Sequence, residues 1–264
     1  MNPIQNKAQQ IRERLKRGEL LTGAYVFYND PAIAETFGYM GFDYVWIDGE
    51  HCAFDKQSLL AHVVGSYAGG AASIVRVEWN DPVLIKPILE MGIDGLIVPL
   101  ITTADEARAM VAACSYPPAG IRGFGPRRAN QYGALSNEEY LANVNDSFLR
   151  IIQIEHKTAV ENLEEILRVK GIDAVMVGQN DLSSTYGHLG NVTVAEMTEV
   201  YDLIAAKCRE AKMPFGVALG PGSKTMIAEW IARGAQLISC VDDISSINLV
   251  SRDLLDFVRS HAER

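Results

Sequence analysis

The sequence predicts an α/β fold, a single (β/α)8 barrel over residues 1–264. Three observations favour this fold. The length of 264 residues is usual for one such barrel. Short apolar runs rich in β-branched residues recur along the chain, and most segments between them carry apolar residues at helical spacing. The runs number eight, as a closed barrel requires.

The eight runs give the predicted strands in chain order. They are 22–28 (TGAYVFY), 44–48 (YVWID), 73–78 (SIVRVE), 95–99 (GLIVP), 149–155 (LRIIQIE), 174–178 (AVMVG), 214–219 (PFGVAL) and 237–241 (LISCV). Four of them follow a step, MGFD, MGID, KGID or RGAQ, that places glycine at the expected end of a helix. An open, doubly wound sheet would also alternate strand and helix. Its first strand would lead into a GxGxxG turn, which is missing here, so we prefer the barrel.

Composition and charge argue against several classes of function. No apolar run approaches the roughly 18 residues that span a bilayer, so we expect no membrane segment. The formal charge of −9 opposes binding to nucleic acid. The first 21 residues carry the spacing of a helix and lack the apolar core of a signal peptide. We therefore expect a cytoplasmic protein with a helix before the barrel.

The active site of a barrel lies at the carboxyl ends of its strands, where this sequence places several polar residues. The second strand ends in Asp48-Gly49-Glu50-His51, the third contains Arg76, the fifth ends in Gln153-Ile154-Glu155, and the sixth runs into Gly178-Gln179-Asn180-Asp181. The longest irregular stretch, 116–145, is rich in Gly and Pro and too long for a simple connector. We predict that it is an active-site loop.

Two carboxylates at neighbouring strand ends, Glu155 and Asp181, predict a site for one divalent cation. Water or substrate oxygens would complete the octahedron that Mg²⁺ and Mn²⁺ prefer. Each residue has an alternative role. Glu155 could pair with a cationic side chain inside the barrel, and Asp181 could cap the helix that follows it.

His51 and Arg76 are the predicted catalytic side chains. An ordinary imidazole has a pKa near 6.5, which suits a general base, although His51 could equally be a surface residue of a loop. Arg76 lies in an otherwise apolar strand, where an unpaired guanidinium is costly to bury. It must face either an oxyanion that forms on a substrate or a carboxylate such as Asp48, and both can hold at once.

Five segments together resemble the HpcH/HpaI aldolases, and the likeness covers nearly the whole chain. They are DGEH at 48–51, VRVEWNDPVLIKPILEMG at 75–92, YPPAGIRGFGP at 116–126, QIE at 153–155 and GQNDLS at 178–183. Each motif alone is weak, but their order and spacing are specific. The resemblance implies a barrel of the phosphoenolpyruvate/pyruvate type that uses Mg²⁺, Mn²⁺ or Co²⁺.

The resemblance also implies roles for individual residues. Glu155 and Asp181 would hold the metal, Arg76 would stabilise an enolate, and His51 would act as base with support from Glu90, where relatives carry Asp. Gln179 replaces a proline of many relatives, and 122–128 resembles a loop that reaches the aldehyde. Asp48 joins the predicted catalytic residues. The predicted substrate contacts are Trp46, Gln153, Gly178, Asn180, Asp181 and Leu219.

The function implied is that of a class II aldolase. It would cleave a 4-hydroxy-2-oxo acid reversibly to pyruvate or hydroxypyruvate and an aldehyde through a metal-bound enolate. No lysine ends a predicted strand as a Schiff-base aldolase would need. The alternatives are a related lyase or decarboxylase acting on a CoA-linked or dicarboxylic substrate, and a protein that binds 2-oxo acids without turnover.

The resemblance implies a homo-oligomer as well, a trimer or a hexamer. Relatives sometimes exchange a C-terminal helix between subunits, and 244–260 has apolar residues at the spacing that such packing needs. The same segment could instead dock within one subunit.

Overall fold

Eight parallel strands form a closed barrel in the order β1 to β8, so the predicted (β/α)8 fold is confirmed. The structure is a computed structural model that describes residues 7–220 and 223–262. Each predicted strand lies within about two residues of an observed one. The strands are β1 Leu21–Val26, β2 Tyr44–Asp48, β3 Ala72–Arg76, β4 Gly95–Val98, β5 Leu149–Ile154, β6 Ala174–Gly178, β7 Phe215–Ala218 and β8 Leu237–Asp242.

Helices connect the strands and surround the barrel. They are α1 Lys7–Lys16, α2 Pro31–Tyr39, α3 Lys56–Gly69, α4 Pro82–Glu90, α5 Ala104–Cys114, α6 Asn137–Asn143, α7 Lys157–Glu161, α8 Leu163–Leu167, α9 Gln179–Thr185, α10 Ala195–Glu210, α11 Lys224–Arg233 and α12 Asp243–Ala262, with short 3₁₀ helices at Arg128–Gly133 and Val144–Asp146. Within the described ranges, no helix is both long and apolar enough to cross a membrane.

The pleat of each strand separates two apolar cores. Alternate residues such as Tyr44 and Trp46 of β2 point into the barrel, where they pack with Ile74 and Met176. The residues between them point outward into a larger core under the helices. Because side chains alternate along a strand, the inward row of β2 ends at Asp48. The uppermost layer of the barrel interior is therefore polar.

A repeated carboxylate contact holds the amino ends of the strands together. Asp43, Asp94 and Asp173 follow the glycine of their steps, and each accepts a hydrogen bond from a backbone N–H of the neighbouring strand. The donors are Thr22, Ser73 and Arg150, at 2.8, 2.9 and 2.8 Å. Gly41, Gly92 and Gly171 adopt positive φ angles in these turns, a conformation that costs glycine little. The repeated step in the sequence is thus a structural device of the barrel floor.

Helix α1 closes the same end of the barrel, as the predicted N-terminal helix should. Arg12 binds Asp173 through a 2.7 Å ion pair, and Arg14 binds Asp43. Ala8, Ile11 and Leu15 bury their side chains against the barrel floor. Through these ion pairs and apolar contacts, α1 covers the amino ends of the strands.

The long irregular stretch, which was predicted to be an active-site loop, lies on the covered face of its own barrel, away from the carboxyl ends of the strands. It follows α5, which descends from the carboxyl end of β4, and it leads into the amino end of β5. Such a loop belongs to the face of the barrel that serves stability. Arg128 illustrates this, since its Nη1 donates to the carbonyls of Met91 and Gly92 at the end of α4, at 2.9 and 3.0 Å.

Candidate active site

A buried ion pair between β2 and β3 lies at the base of the site. Asp48 and Arg76 are register partners on the two strands. The two carboxylate oxygens of Asp48 accept from Nε and Nη2 of Arg76 at 2.8 and 2.7 Å. Burial by itself would lower the pKa of Arg76, but the hydrogen bonds and charge of Asp48 raise it above its usual value. Arg76 therefore remains a cation in a fixed orientation.

The third guanidinium nitrogen of Arg76 faces the interior of the site. Its Nη1 lies 3.0 Å from Oε2 of Glu50 and 3.5 Å from Oε1 of Gln153. Asp48 occupies only Nε and Nη2, so Nη1 is the nitrogen that an oxyanion would meet, in competition with the Glu50 carboxylate. The two roles predicted for Arg76 are therefore compatible: the salt bridge to Asp48 fixes the guanidinium, and Nη1 faces the site.

Gln153 connects Arg76 to the predicted metal ligand Glu155. Its side-chain amide donates to Oε2 of Glu155 while its carbonyl faces Arg76. The backbone N–H of Leu100, a residue with a φ of 54°, donates to Oε1 of Glu155 at 2.8 Å. Both carboxylate oxygens are thus oriented by residues of β5 and of the turn after β4, and no Lys or Arg among the described residues is bound to them.

The charged groups that act on Glu155 include two carboxylates, Glu50 and Asp181, and one cation, Arg76. It is only 2% exposed, and burial followed by the charge of Glu50 raises its pKa to about 7, although the Leu100 N–H opposes this. The charge of Asp181 acts in the same direction, and that of Arg76 opposes it. An incompletely compensated pair of carboxylates fits a divalent cation, because the cation would offset the charge that burial penalises.

Asp181 is not the cap of its helix. Helix α9 begins after Gly178, which is its N-cap residue, and Asp181 lies exposed in the first turn. Asn180 is also exposed, whereas Gln179 is buried and hydrogen-bonded to Tyr201 on α10. The turn after β6 therefore presents Asn180 and Asp181 outward, and the side chain that replaces proline points away from the site.

Gly178 provides the space that Glu155 occupies. A Cβ atom at position 178 would lie 2.4 Å from Oε2 of Glu155 and 2.7 Å from Nε2 of Gln153. Both distances are shorter than van der Waals contact allows, so a side chain there would displace the carboxylate. The predicted contact of Gly178 with substrate remains a prediction, and its steric role is clear.

Glu50 is the residue that the sequence analysis left without a role. It follows β2 two positions after Asp48, and its side chain is 16% exposed. Burial raises its pKa above the usual range, and Arg76 opposes that shift. The signal was present in the sequence, since residues 48 and 50 share one side of an extended chain.

His51 lies at the edge of the site. Its side chain is 62% exposed, and its Nε2 is 3.8 Å from Oε2 of Glu50. Among the described residues, the Glu50 carboxylate is the charged group that pairs with His51. Leu219, another predicted contact, follows β7 and is half-buried at the same face of the barrel.

Two residues have surroundings that differ from their predicted roles. Glu90, expected to support His51, ends α4 on the opposite face of the barrel and pairs with Arg122 at 2.9 Å. Trp46, expected to contact substrate, is completely buried, and the Arg76 guanidinium lies 5.3 Å above its ring. Trp46 is one pleat below Asp48, so it supports Arg76 from beneath.

Comparison with known proteins agrees with this geometry. The family model for HpcH/HpaI aldolase/citrate lyase matches residues 21–242, which include all eight strands. The chain belongs to this family. Membership makes it a carbon–carbon lyase of the aldolase type, which confirms the resemblance drawn from the motifs.

Two curated relatives cover almost the full chain. It is 35% identical over 242 residues to a 2-dehydro-3,6-dideoxy-6-sulfogluconate aldolase of Pseudomonas putida, covering 91% of this chain and 93% of that protein. It is 31% identical over 246 residues to a hydroxypyruvate/pyruvate aldolase of Roseovarius nubinhibens, covering 93% and 95%.

A solved structure shares the fold closely. The crystal structure of an HpcH/HpaI aldolase/citrate lyase family protein from Burkholderia cenocepacia matches with a TM-score of 0.88 and 27% sequence identity. The match covers 95% of this chain and 99% of the other.

The first prediction concerns Gly178→Ala. The new methyl group should push the Glu155 carboxylate out of place, and we expect at least a tenfold loss of Mn²⁺ affinity and of activity, measured by electron paramagnetic resonance of free Mn²⁺ and by product release. Gly125→Ala is the matched control, because a Cβ atom there meets nothing within 4 Å. Unchanged Mn²⁺ binding in Gly178→Ala would refute the assignment of Glu155 as a ligand.

The second prediction concerns pH. Since the pKa of Glu155 is raised to about 7, the group is largely protonated at pH 6 and largely ionised at pH 8. Metal binding should therefore release about one proton at pH 6 and much less at pH 8, and apparent affinity should rise between them. Calorimetric titration of Mn²⁺ in buffers of different ionisation enthalpy measures this release. Equal proton release at both pH values would contradict the prediction.

Proposed function

We propose that this protein cleaves a 4-hydroxy-2-oxo acid reversibly to an aldehyde and pyruvate or hydroxypyruvate. The observation that carries the proposal is the arrangement of Arg76, Gln153 and Glu155 across one barrel rim, where a fixed cation lies beside a carboxylate suited to a metal. The relatives are named as aldolases of sulfogluconate-type, hydroxypyruvate and pyruvate substrates, and this supports the substrate class.

Glu155 and Asp181 would hold the divalent cation, with Mg²⁺, Mn²⁺ and Co²⁺ as the candidate ions. When bound, such an ion polarises the 2-oxo acid and lowers the cost of negative charge at its carbonyl oxygen. Two carboxylates leave positions for water and for substrate oxygens. Gln153 orients the Glu155 carboxylate and thereby prepares the site for the ion.

Arg76 would stabilise the enolate that forms when the carbon–carbon bond breaks. Asp48 holds its guanidinium in place before the reaction, so little reorganisation is needed as charge develops. Gly178, Asn180 and Leu219 are the proposed contacts of the substrate at the ends of β6 and β7. His51 is the proposed base, and its exposure gives it access to solvent for the exchange of protons.

The decisive experiment measures pyruvate release from 4-hydroxy-2-oxo acids of several lengths. EDTA-treated protein should be inactive, and added Mg²⁺, Mn²⁺ or Co²⁺ should restore activity in the native protein but not in Glu155→Ala. Glu161→Ala, which removes a carboxylate at the end of α7, serves as the control variant. Activity that persists without metal would refute the mechanism. Oxaloacetate decarboxylation or cleavage of a CoA ester, without aldol cleavage, would favour the alternative lyase.

We also propose that the protein is a cytoplasmic homo-oligomer, a trimer or a hexamer. Helix α12 supports this, since Ile247, Val250, Leu254 and Phe257 lie at helical spacing and are 52–59% exposed. Glu90 and the loop 116–145 face away from the active site of their own chain. If they contribute to catalysis as the resemblance implies, they do so in the site of a neighbouring copy.

The assembly makes a separate prediction. Replacing both Leu254 and Phe257 with Glu should convert the oligomer into a smaller species, because it places charge on the apolar stripe of α12. Light scattering coupled to size-exclusion chromatography measures the mass. Val83→Glu, at a position on α4 that is 72% exposed, is the control and should leave the mass unchanged. A native protein that is monomeric would refute the proposed assembly.

A further inference from the structure

Glu50 lies between the proposed base and the proposed oxyanion-binding cation. Its Oε2 is 3.8 Å from Nε2 of His51 and 3.0 Å from Nη1 of Arg76. The same oxygen is buried and accepts no hydrogen bond from the described residues, because its contact with Arg76 lacks hydrogen-bond geometry. It is therefore an acceptor available inside the site.

The other carboxylates of the site already have partners or roles. Both oxygens of Asp48 bind Arg76, and those of Glu155 accept from Leu100 and Gln153. Asp181 is exposed at the start of α9. Glu50 thus differs from its neighbours, since its Oε2 faces both a cation and an imidazole and accepts no hydrogen bond from the described residues.

His51 by itself is poorly placed to act directly on a substrate within the pocket. Its side chain is 62% exposed, whereas that of Glu50 is 16% exposed and lies further in. A proton that leaves a substrate beside Arg76 would have to cross the space between Arg76 and His51 to reach the imidazole. Glu50 occupies the space between them, whereas Glu90 of the same chain pairs with Arg122 on the opposite face.

We infer that Glu50 relays the proton between the 4-hydroxyl group of the substrate and His51. The inference rests on the aldolase function proposed above. In the cleavage direction, the Glu50 carboxylate takes the hydroxyl proton, the O–H electron pair becomes the second bond of the aldehyde, and the C3–C4 bond breaks. The electrons of the C3–C4 bond form the enolate, which Arg76 stabilises. Glu50 then passes the proton through one bridging water to Nε2 of His51, which returns it to solvent, and a proton from solvent converts the enolate to the 2-oxo acid.

The charges around Glu50 are consistent with a group that takes up a proton only briefly. Arg76 from β3 and His51 favour its ionised form, whereas Asp48 from β2 and Asp181 from α9 disfavour it. Burial also disfavours the ionised form, so opposing influences act on a carboxyl group that has to accept and return a proton. Arg76 also holds the carboxylate toward the interior.

The test compares two reactions that share an enolate but differ in the hydroxyl proton. Retro-aldol cleavage must remove that proton, whereas decarboxylation of oxaloacetate yields the same kind of enolate without it. At saturating Mn²⁺, the ratio of the two kcat values in Glu50→Gln should fall about a hundredfold, the range typical of lost acid–base catalysis. Glu50→Asp should recover part of the loss, because it keeps a carboxylate.

Two control variants separate the relay from other roles. Glu78→Gln removes an exposed carboxylate just after β3 and should leave the ratio at its native value. Arg76→Ala should slow both reactions, because both develop the enolate. Equal loss of both activities in Glu50→Gln, or no loss, would overturn the relay alone. A native protein that decarboxylates oxaloacetate but cleaves no 4-hydroxy-2-oxo acid would overturn the proposed function, and the relay with it.

Discussion

The ion pair between Asp48 and Arg76 is the interaction on which the site depends. A guanidinium buried at the top of a barrel interior is stable only when its charge and its donors are matched. Asp48 meets this requirement by binding two nitrogens from the adjacent strand, and Trp46 supports the group from below. The third nitrogen is thereby fixed toward Glu50 and Gln153, so the same pair that allows burial also aims the cation.

The remaining carboxylates create the opposite electrostatic condition. Glu50, Glu155 and Asp181 influence one another, and burial raises the pKa of the first two. Such a cluster is unfavourable by itself and becomes favourable when a cation or a proton reduces its charge. The proposed divalent ion at Glu155 and Asp181 and the proposed proton transfer at Glu50 would each reduce this charge.

Most of the fold and much of the site could be predicted from the sequence, because both follow from local patterns. The strands appear as apolar runs, and their polar ends identify Asp48, Arg76, Gln153 and Glu155, which the structure brings together. The differences concern direction and depth. Glu90 and the loop 116–145 lie on the far face of their own barrel, because the composition of a Gly/Pro-rich loop does not show whether the loop precedes or follows a strand. Trp46, predicted to contact substrate, lies one pleat below Asp48, and the same alternation of side chains identifies Glu50.

The charged groups at the two ends of the barrel have different surroundings, and this difference supports placing the proposed chemistry at the carboxyl ends of the strands. At the floor, Asp43 and Asp173 bind both strand N–H groups and arginines of α1, so their charges are fully used in holding the structure. At the rim, the charges of Glu50 and Asp181 have no comparable set of partners among the described residues. A barrel can accept that local cost because its floor and two apolar cores supply the stability. The negative charge at the rim is the feature on which the proposed cation site and the proposed proton relay both depend.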